Sequence, residues 1–186
     1  MRIAVYPGSF DPLHTGHQAI MEYLTQCSGY DWVYLVISPQ NPFKDPSKAL
    51  SAERRYRDAI AAARRHPELH VWVDNIELSM DPPHYTIRTL DALRVREPEN
   101  EFTLVVGADN LAGITRWKDA ERILKEYGVA VYPRLGYDVA RIQEGVYQEM
   151  GPDCKIRFID APIVDISSTR IRDGIAAGLD MSGWMM

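Results

Sequence analysis

Short apolar runs alternate with longer amphipathic ones along the chain. Arg2–Tyr6, Trp32–Ser38, His70–Asp74, Phe102–Gly107, Val129–Tyr132 and Lys155–Ile159 are rich in Val, Ile, Tyr, Phe or Trp and bounded by polar residues, Gly or Pro. That pattern predicts six short strands. Between them, Gly16–Cys27 places Ile20, Tyr23, Leu24 and Cys27 on one stripe of a helix. Ser51–Arg65 opens on a Ser51 N-cap and runs on through AERRYRDAIAAARR, strong helix formers throughout. Thr86–Val95 carries Ile87, Leu90 and Leu93, and Lys118–Glu126 makes a further short helix. Strands that alternate with helices bury both faces of a sheet. The fold class is therefore α/β: a Rossmann-like, doubly wound, mainly parallel sheet with helices on both faces.

Such sheets bind ligands beyond the carboxyl ends of their strands, at a topological switch point. Four loops follow predicted strands: PGSFDPLHTGH at Pro7–His17, Pro39–Lys44, Gly107–Asn110 and Pro133–Leu135. They are expected to converge on one cleft.

Composition narrows the field. The 186 residues, without repeat or long linker, read as a single domain over 1–186. A formal charge of −5 argues against a general nucleic-acid binder but leaves room for a small anion held by local N–H groups and a few cations. Cys27 and Cys154 lie far apart without a CxxC partner, which predicts neither a disulfide framework nor a thiolate metal site. No apolar run reaches the roughly 20 residues that span a bilayer. The first strand begins at once, leaving no room for a leader segment, so a soluble, reducing, cytoplasmic setting is expected.

The candidate chemistry sits near the two ends. In PGSFDPLHTGH, Gly8 lets the backbone approach a ligand and Gly16 lets the chain enter a helix whose N-terminal N–H groups favour anions. His14 and His17 are three apart, so a helix starting near Thr15 or Gly16 turns both imidazoles to the cleft mouth, as donors and more strongly as imidazolium. Capping is the ordinary alternative for either histidine. In DISSTRIR, Ser167 and Ser168 cap the last helix and Arg172, one turn on, offers a fork of donors suited to phosphate. A plain Ser/Thr cap with a solvated arginine is the alternative there.

Together the two segments resemble a known family. PGSFDPLHTGH is similar to the GxFDPxHxGH signature of the nucleotidyltransferase superfamily, and ISSTRIR, Ile166–Arg172, matches its ISSTxxR signature. PPHYTIRTLDAL at Pro82–Leu93, GADNL at Gly107–Leu111 with RWK at Arg116–Lys118, and YPRLGY at Tyr132–Tyr137 resemble the SYTxxTL, GxDxL…W and RPGY elements of bacterial nicotinate-mononucleotide adenylyltransferases. The resemblance implies transfer of the adenylyl group of ATP to nicotinate mononucleotide, giving nicotinate adenine dinucleotide and pyrophosphate. It assigns catalysis to His14, His17 and Arg172, and ATP binding to these three with Gly8, Ser9, Phe10, Gly107, Asp109, Ile166, Ser167 and Ser168. It assigns the mononucleotide to Lys44, Tyr85, Thr86 and Trp117, with Mg²⁺ carried chiefly by the phosphates and no metal cage of side chains. For Trp117, Tyr85, Thr86 and Asp109 the bland alternatives are core packing, capping and a turn.

Two departures stand out. SPQNPFK keeps Pro42 and Lys44 but puts Phe43 where the family often has a histidine. The closing GLDMSGWMM stops short of a final helix found in many relatives, so Met185 and Met186 are expected to be partly disordered or to make an oligomer contact. VYPGSFDP also begins pantetheine-phosphate adenylyltransferases, which makes that activity one alternative. A nucleotide-binding sensor without turnover is the other.

Overall fold

The structure, a computed structural model, describes residues 1–39 and 51–186. Its strands are β1 (Arg2–Gly8), β2 (Trp32–Ile37), β3 (Val71–Asp74), β4 (Glu101–Gly107), β5 (Val129–Tyr132) and β6 (Ile156–Phe158). They form one sheet in the order β3-β2-β1-β4-β5-β6, every neighbouring pair parallel. The order reverses between β1 and β4, so the crevice beyond the carboxyl ends of these two strands is the switch point.

Alternation along each strand sorts the core into two layers. Ile3 and Val5 of β1, with Leu104 and Val106 of β4, face Ile87, Leu90 and Leu93 of α3 (Thr86–Arg96). Ala4 and Tyr6 face the other way, into the layer of Met21 and Leu24 of α1 (Thr15–Gln26) and Ala59 and Ala62 of α2 (Ala52–Arg65). Each Leu or Ile buried to this degree contributes about 1.5–3 kcal/mol over an exposed one, which is why a shift of one residue in β1 is excluded. As expected, α2 opens on Ser51, whose hydroxyl accepts from the Arg54 N–H at 3.2 Å.

Two elements depart from the expected pattern. The helix at Lys118–Glu126 is a one-turn α5 (Ala120–Arg122) that widens into a π turn over Ile123–Tyr127. The Lys155 N–H occupies the Leu124 carbonyl at 2.8 Å, so the Gly128 N–H closes on Ile123 instead, five residues back. After the single turn α4 (Ala108–Leu111), sequence reasoning also passes over α6 (Val139–Met150). Its signal was present: the Asp138 carboxylate caps the Arg141 N–H, Val139, Ile142, Val146, Tyr147 and Met150 lie on one packed stripe, and Gly151 at φ 101° stops it.

The last helix, α7 (Ser168–Ala176), leads to a turn at Ser182–Trp184 and then to the opening loop. Met185 bridges His14 in antiparallel fashion, the Met186 N–H reaches the Leu13 carbonyl at 3.4 Å, and Arg65 Nη2 donates to the Met186 carbonyl at 2.6 Å. Met186 is thus buried in this chain's own core, whereas Met185 stays exposed. No helix among the described residues is long and apolar enough to cross a membrane.

Candidate active site

The opening loop leaves β1 at Gly8 and doubles back under its own side chain. Phe10 takes φ 46° and lays its ring 2.8 Å from where a Cβ on Gly8 would stand, so a larger residue there would push the ring aside. The chain then enters α1 with His14 as N-cap. His14 Nδ1 accepts from the His17 N–H at 3.4 Å, and His17 Nδ1 accepts from the His14 N–H at 3.2 Å. This is a capping box built from two histidines. The capping that was the ordinary alternative in the sequence is made by both histidines. Both Nδ1 atoms serve as acceptors, which assigns the ring proton of each neutral imidazole to Nε2. The rings stack with centroids 3.6 Å apart, and Gly16 carries no Cβ because one would press on the His14 ring and on Ile166.

Both imidazoles line a cavity of about 360 Å³ at the switch point, within the range of small-molecule sites. Asp109 comes to it from the turn after β4, Arg134 and Leu135 from the loop after β5, and Ile166, Ser167 and Arg170 from the start of α7. Three of the predicted convergent loops therefore meet; the fourth, Pro39–Lys44, falls almost wholly outside the described residues, as do Phe43 and Lys44.

Arg134 is the residue sequence reasoning missed. Its loop, Pro133–Leu135, was expected at the cleft but its side chain was given no role, yet Arg134 stacks 5.0 Å over the Tyr132 ring, donates to the Tyr132 hydroxyl at 3.3 Å and lies 3.5 Å from the Asp109 carboxylate. Its charge also reaches the histidines. Burial pushes the His14 imidazole down to about 4, with Arg134 acting in the same direction. Burial likewise holds His17 well below the usual range, helped by His14 and then Arg134. Near neutral pH both rings are uncharged, so the expectation of imidazolium is corrected for the protein by itself: the pair presents Nε2–H donors, and the fixed positive charge of the cavity comes from arginine.

The C-terminal motif docks on the opening loop, though not every residue faces the cavity. Ser167 caps α7, accepting from the Arg170 N–H at 3.2 Å, and lines the cavity. Ser168 turns away and donates to the Pro12 carbonyl at 2.9 Å. Arg172 donates to the Asp11 carbonyl and to Thr169 Oγ1, and it is Arg170, not Arg172, that lines the cavity. Ser9 is exposed at the loop, whereas Phe10 is 5 % exposed and packs edge-on to His17 at 5.0 Å, a support behind the ring rather than part of the wall. Gly107 caps α4, where a Cβ would collide with the Asp109 carboxylate.

Of the residues expected to hold the mononucleotide, the three that the structure describes, Tyr85, Thr86 and Trp117, do not line this cavity. Tyr85 is the exposed N-cap residue of α3 and Thr86 its first residue. Trp117 is half-buried against the core layer of α3. That side of the molecule is braced by a buried pair in which the Thr89 hydroxyl of α3 donates to Glu77 Oε1 at 2.8 Å.

Two histidines capping one helix, facing the first turn of another across the switch point of a 321456 sheet, define the class. A model of the "Cytidylyltransferase-like" family matches residues 5–174, and the chain is a nucleotidyltransferase by fold and motif. Among curated relatives, a "probable nicotinate-nucleotide adenylyltransferase" of Bacteroides fragilis is 36 % identical over 180 residues, 97 % of this chain and 85 % of the relative. Another of that description, from Porphyromonas gingivalis, is 37 % identical over 186 residues, 100 % of this chain and 89 % of the relative. The chain belongs to the nicotinate-nucleotide adenylyltransferase family, within the HxGH-type nucleotidyltransferase superfamily. The fold is shared further afield: the nicotinic acid mononucleotide adenylyltransferase of Plasmodium falciparum, solved with NaAD, superposes with a TM-score of 0.76 over 97 % of this chain and 87 % of that one at 18 % identity.

Proposed function

We propose that the chain joins ATP and nicotinate mononucleotide into nicotinate adenine dinucleotide and pyrophosphate. The observation that carries this reading is the stacked His14–His17 pair, which shares one cavity with Asp109, Arg134, Ser167 and Arg170. The 5′-phosphate oxygen of the mononucleotide attacks the α-phosphorus of ATP in line; the bond from that phosphorus to the bridging oxygen breaks and pyrophosphate leaves. No covalent intermediate on the protein is needed, because the nucleophile is already an anion. Catalysis then rests on positioning and on neutralising charge.

His14 and His17 donate their Nε2–H groups to the α- and β-phosphates, with the N-terminus of α1 behind them. Anionic phosphate beside the rings raises their proton affinity, so each gains positive character as ligand binds. Asp109 accepts from the ribose hydroxyls of adenosine. Ser167 and the N–H groups opening α7 hold the departing pyrophosphate, with Arg170 beside them and Arg172 behind. Lys44, Tyr85, Thr86 and Trp117 take the mononucleotide, the indole face against the pyridine ring.

Magnesium, arriving with the triphosphate, would neutralise phosphate charge there. The two cavity carboxylates, Asp109 and Asp165, are each paired with an arginine.

The deciding experiment measures pyrophosphate release with nicotinate mononucleotide, nicotinamide mononucleotide and phosphopantetheine side by side, each with ATP or CTP. Turnover fastest with ATP and nicotinate mononucleotide is the expected result. Preference for phosphopantetheine, or tight ATP binding without release, overturns it.

A further inference from the structure

Arg55 is a cation buried beside the apolar layer between α2 and the sheet, only 2 % exposed. Its guanidinium donates through Nη1 to the Ser9 carbonyl and through Nη2 to the Ser38 carbonyl at 2.9 Å. Ser9 and Ser38 stand just past the carboxyl ends of β1 and β2, where the Ser38 N–H already reaches the Gly8 carbonyl at 2.9 Å. One planar fork therefore spans two strand ends at the floor of the crevice. A lysine, a point charge on a flexible stem, cannot hold both acceptors in one fixed plane.

What the fork holds is a disfavoured conformation. Phe10 takes φ 46° without being glycine. The Ser9–Phe10 peptide is trans, so its carbonyl and its N–H point to opposite sides. With the carbonyl drawn down to Arg55, the Phe10 N–H is turned away from α2. The Phe10 ring, fixed by the same peptide, fills the space over Gly8 and meets the edge of His17. From the far side, Arg172 of α7 donates to the Asp11 carbonyl, two residues further on. The Asp11 carboxylate is 9 % exposed, lies 3.9 Å from Arg172 and also attracts the charge of Arg55. Two guanidiniums from two helices thus grip one loop, at the carbonyls of Ser9 and Asp11.

We propose that Arg55 is a positioning residue that sets the Gly8–Leu13 loop and, through Phe10, the two imidazoles in the geometry that adenylyl transfer needs. The inference rests on the reading under Proposed function. Arg55 does not line the cavity of the two imidazoles and acts on them through the loop.

The test compares the wild-type chain with Arg55→Lys, which keeps the charge and loses the fork. Two readouts are taken: steady-state kinetics with ATP and nicotinate mononucleotide, and amide hydrogen exchange at Phe10, Asp11 and Leu13 with β4 as internal reference. The expected result is a kcat lower by about 10–100-fold, each KM within about threefold, and exchange in the loop faster by about tenfold or more while β4 is unchanged. Arg55→Ala with added methylguanidinium is the second arm, with partial return of kcat expected. It decides alone should the lysine variant not fold. Wild-type kcat in Arg55→Lys, unaltered loop exchange, or no rescue of the alanine variant overturns the proposal. A wild-type chain without turnover sinks the enzymatic reading instead, and the exchange comparison still decides whether Arg55 sets the loop.

Discussion

Replacing His14 by Asn separates its structural duty from its titration. Asn is a good N-cap, so His14→Asn keeps an acceptor for the His17 N–H while removing an ionisable ring. In the wild-type protein burial and Arg134 hold His14 at about 4, against an ordinary value of 6.5. A histidine depressed on folding binds fewer protons in the folded state than in the unfolded one, so stability is full above about pH 6.5 and falls as pH drops toward 4. Charging this one ring costs at most about 3 kcal/mol, of which about 2 kcal/mol is already lost at about pH 5. His17 is shifted in the same direction, so the wild-type loss exceeds that of His14 alone. Urea unfolding at about pH 7 and about pH 5 measures the difference. The wild type should lose about 2 kcal/mol more than His14→Asn over that interval. Parallel losses in the two proteins would refute the claim that the ring is buried uncharged beside Arg134.

Other consequences are as open to measurement. His17→Ala removes one of the two Nε2–H donors and should lower kcat by about 10²–10³-fold, as deletion of a single oxyanion donor does; a folded variant with wild-type turnover excludes the role. Trp117→Ala should raise KM for the mononucleotide far more than for ATP, and an equal rise in both removes Trp117 from the pyridine site. Thr89→Val strips the buried Glu77 of a 2.8 Å hydrogen bond and should cost about 1–3 kcal/mol in chemical denaturation; an unchanged midpoint shows that Glu77 has another way to be satisfied.

How much of this was legible in the chain depends on the range of the interactions involved. The six strands and the helix following Ser51 come from local patterning and appear within a residue or two of their expected places. The π turn at Ile123–Tyr127 does not, because a partner 31 residues away takes the Leu124 carbonyl. The helix at Val139–Met150 had its cap and stripe in plain view and was a failure of reading, not of information.

The site divides along the same line. His14 and His17 three residues apart are enough to foresee one helix turn and two rings side by side. Which nitrogen carries the proton, and whether either ring is charged, depends on burial and on Arg134, which lies 120 residues from His14 in sequence. Likewise ISSTRIR announces a cap and an arginine, but the packing of α7 on Pro12 decides that Ser168 and Arg172 hold the loop while Ser167 and Arg170 face the cavity.

By itself, then, the sequence determined the alternation of strand and helix, the two motifs and the family, since periodicity, caps and short motifs are written in neighbouring residues. The tertiary structure alone decided which side chains turn inward and what charge the histidines carry. Those outcomes depend on desolvation and on fields from residues that only folding brings together.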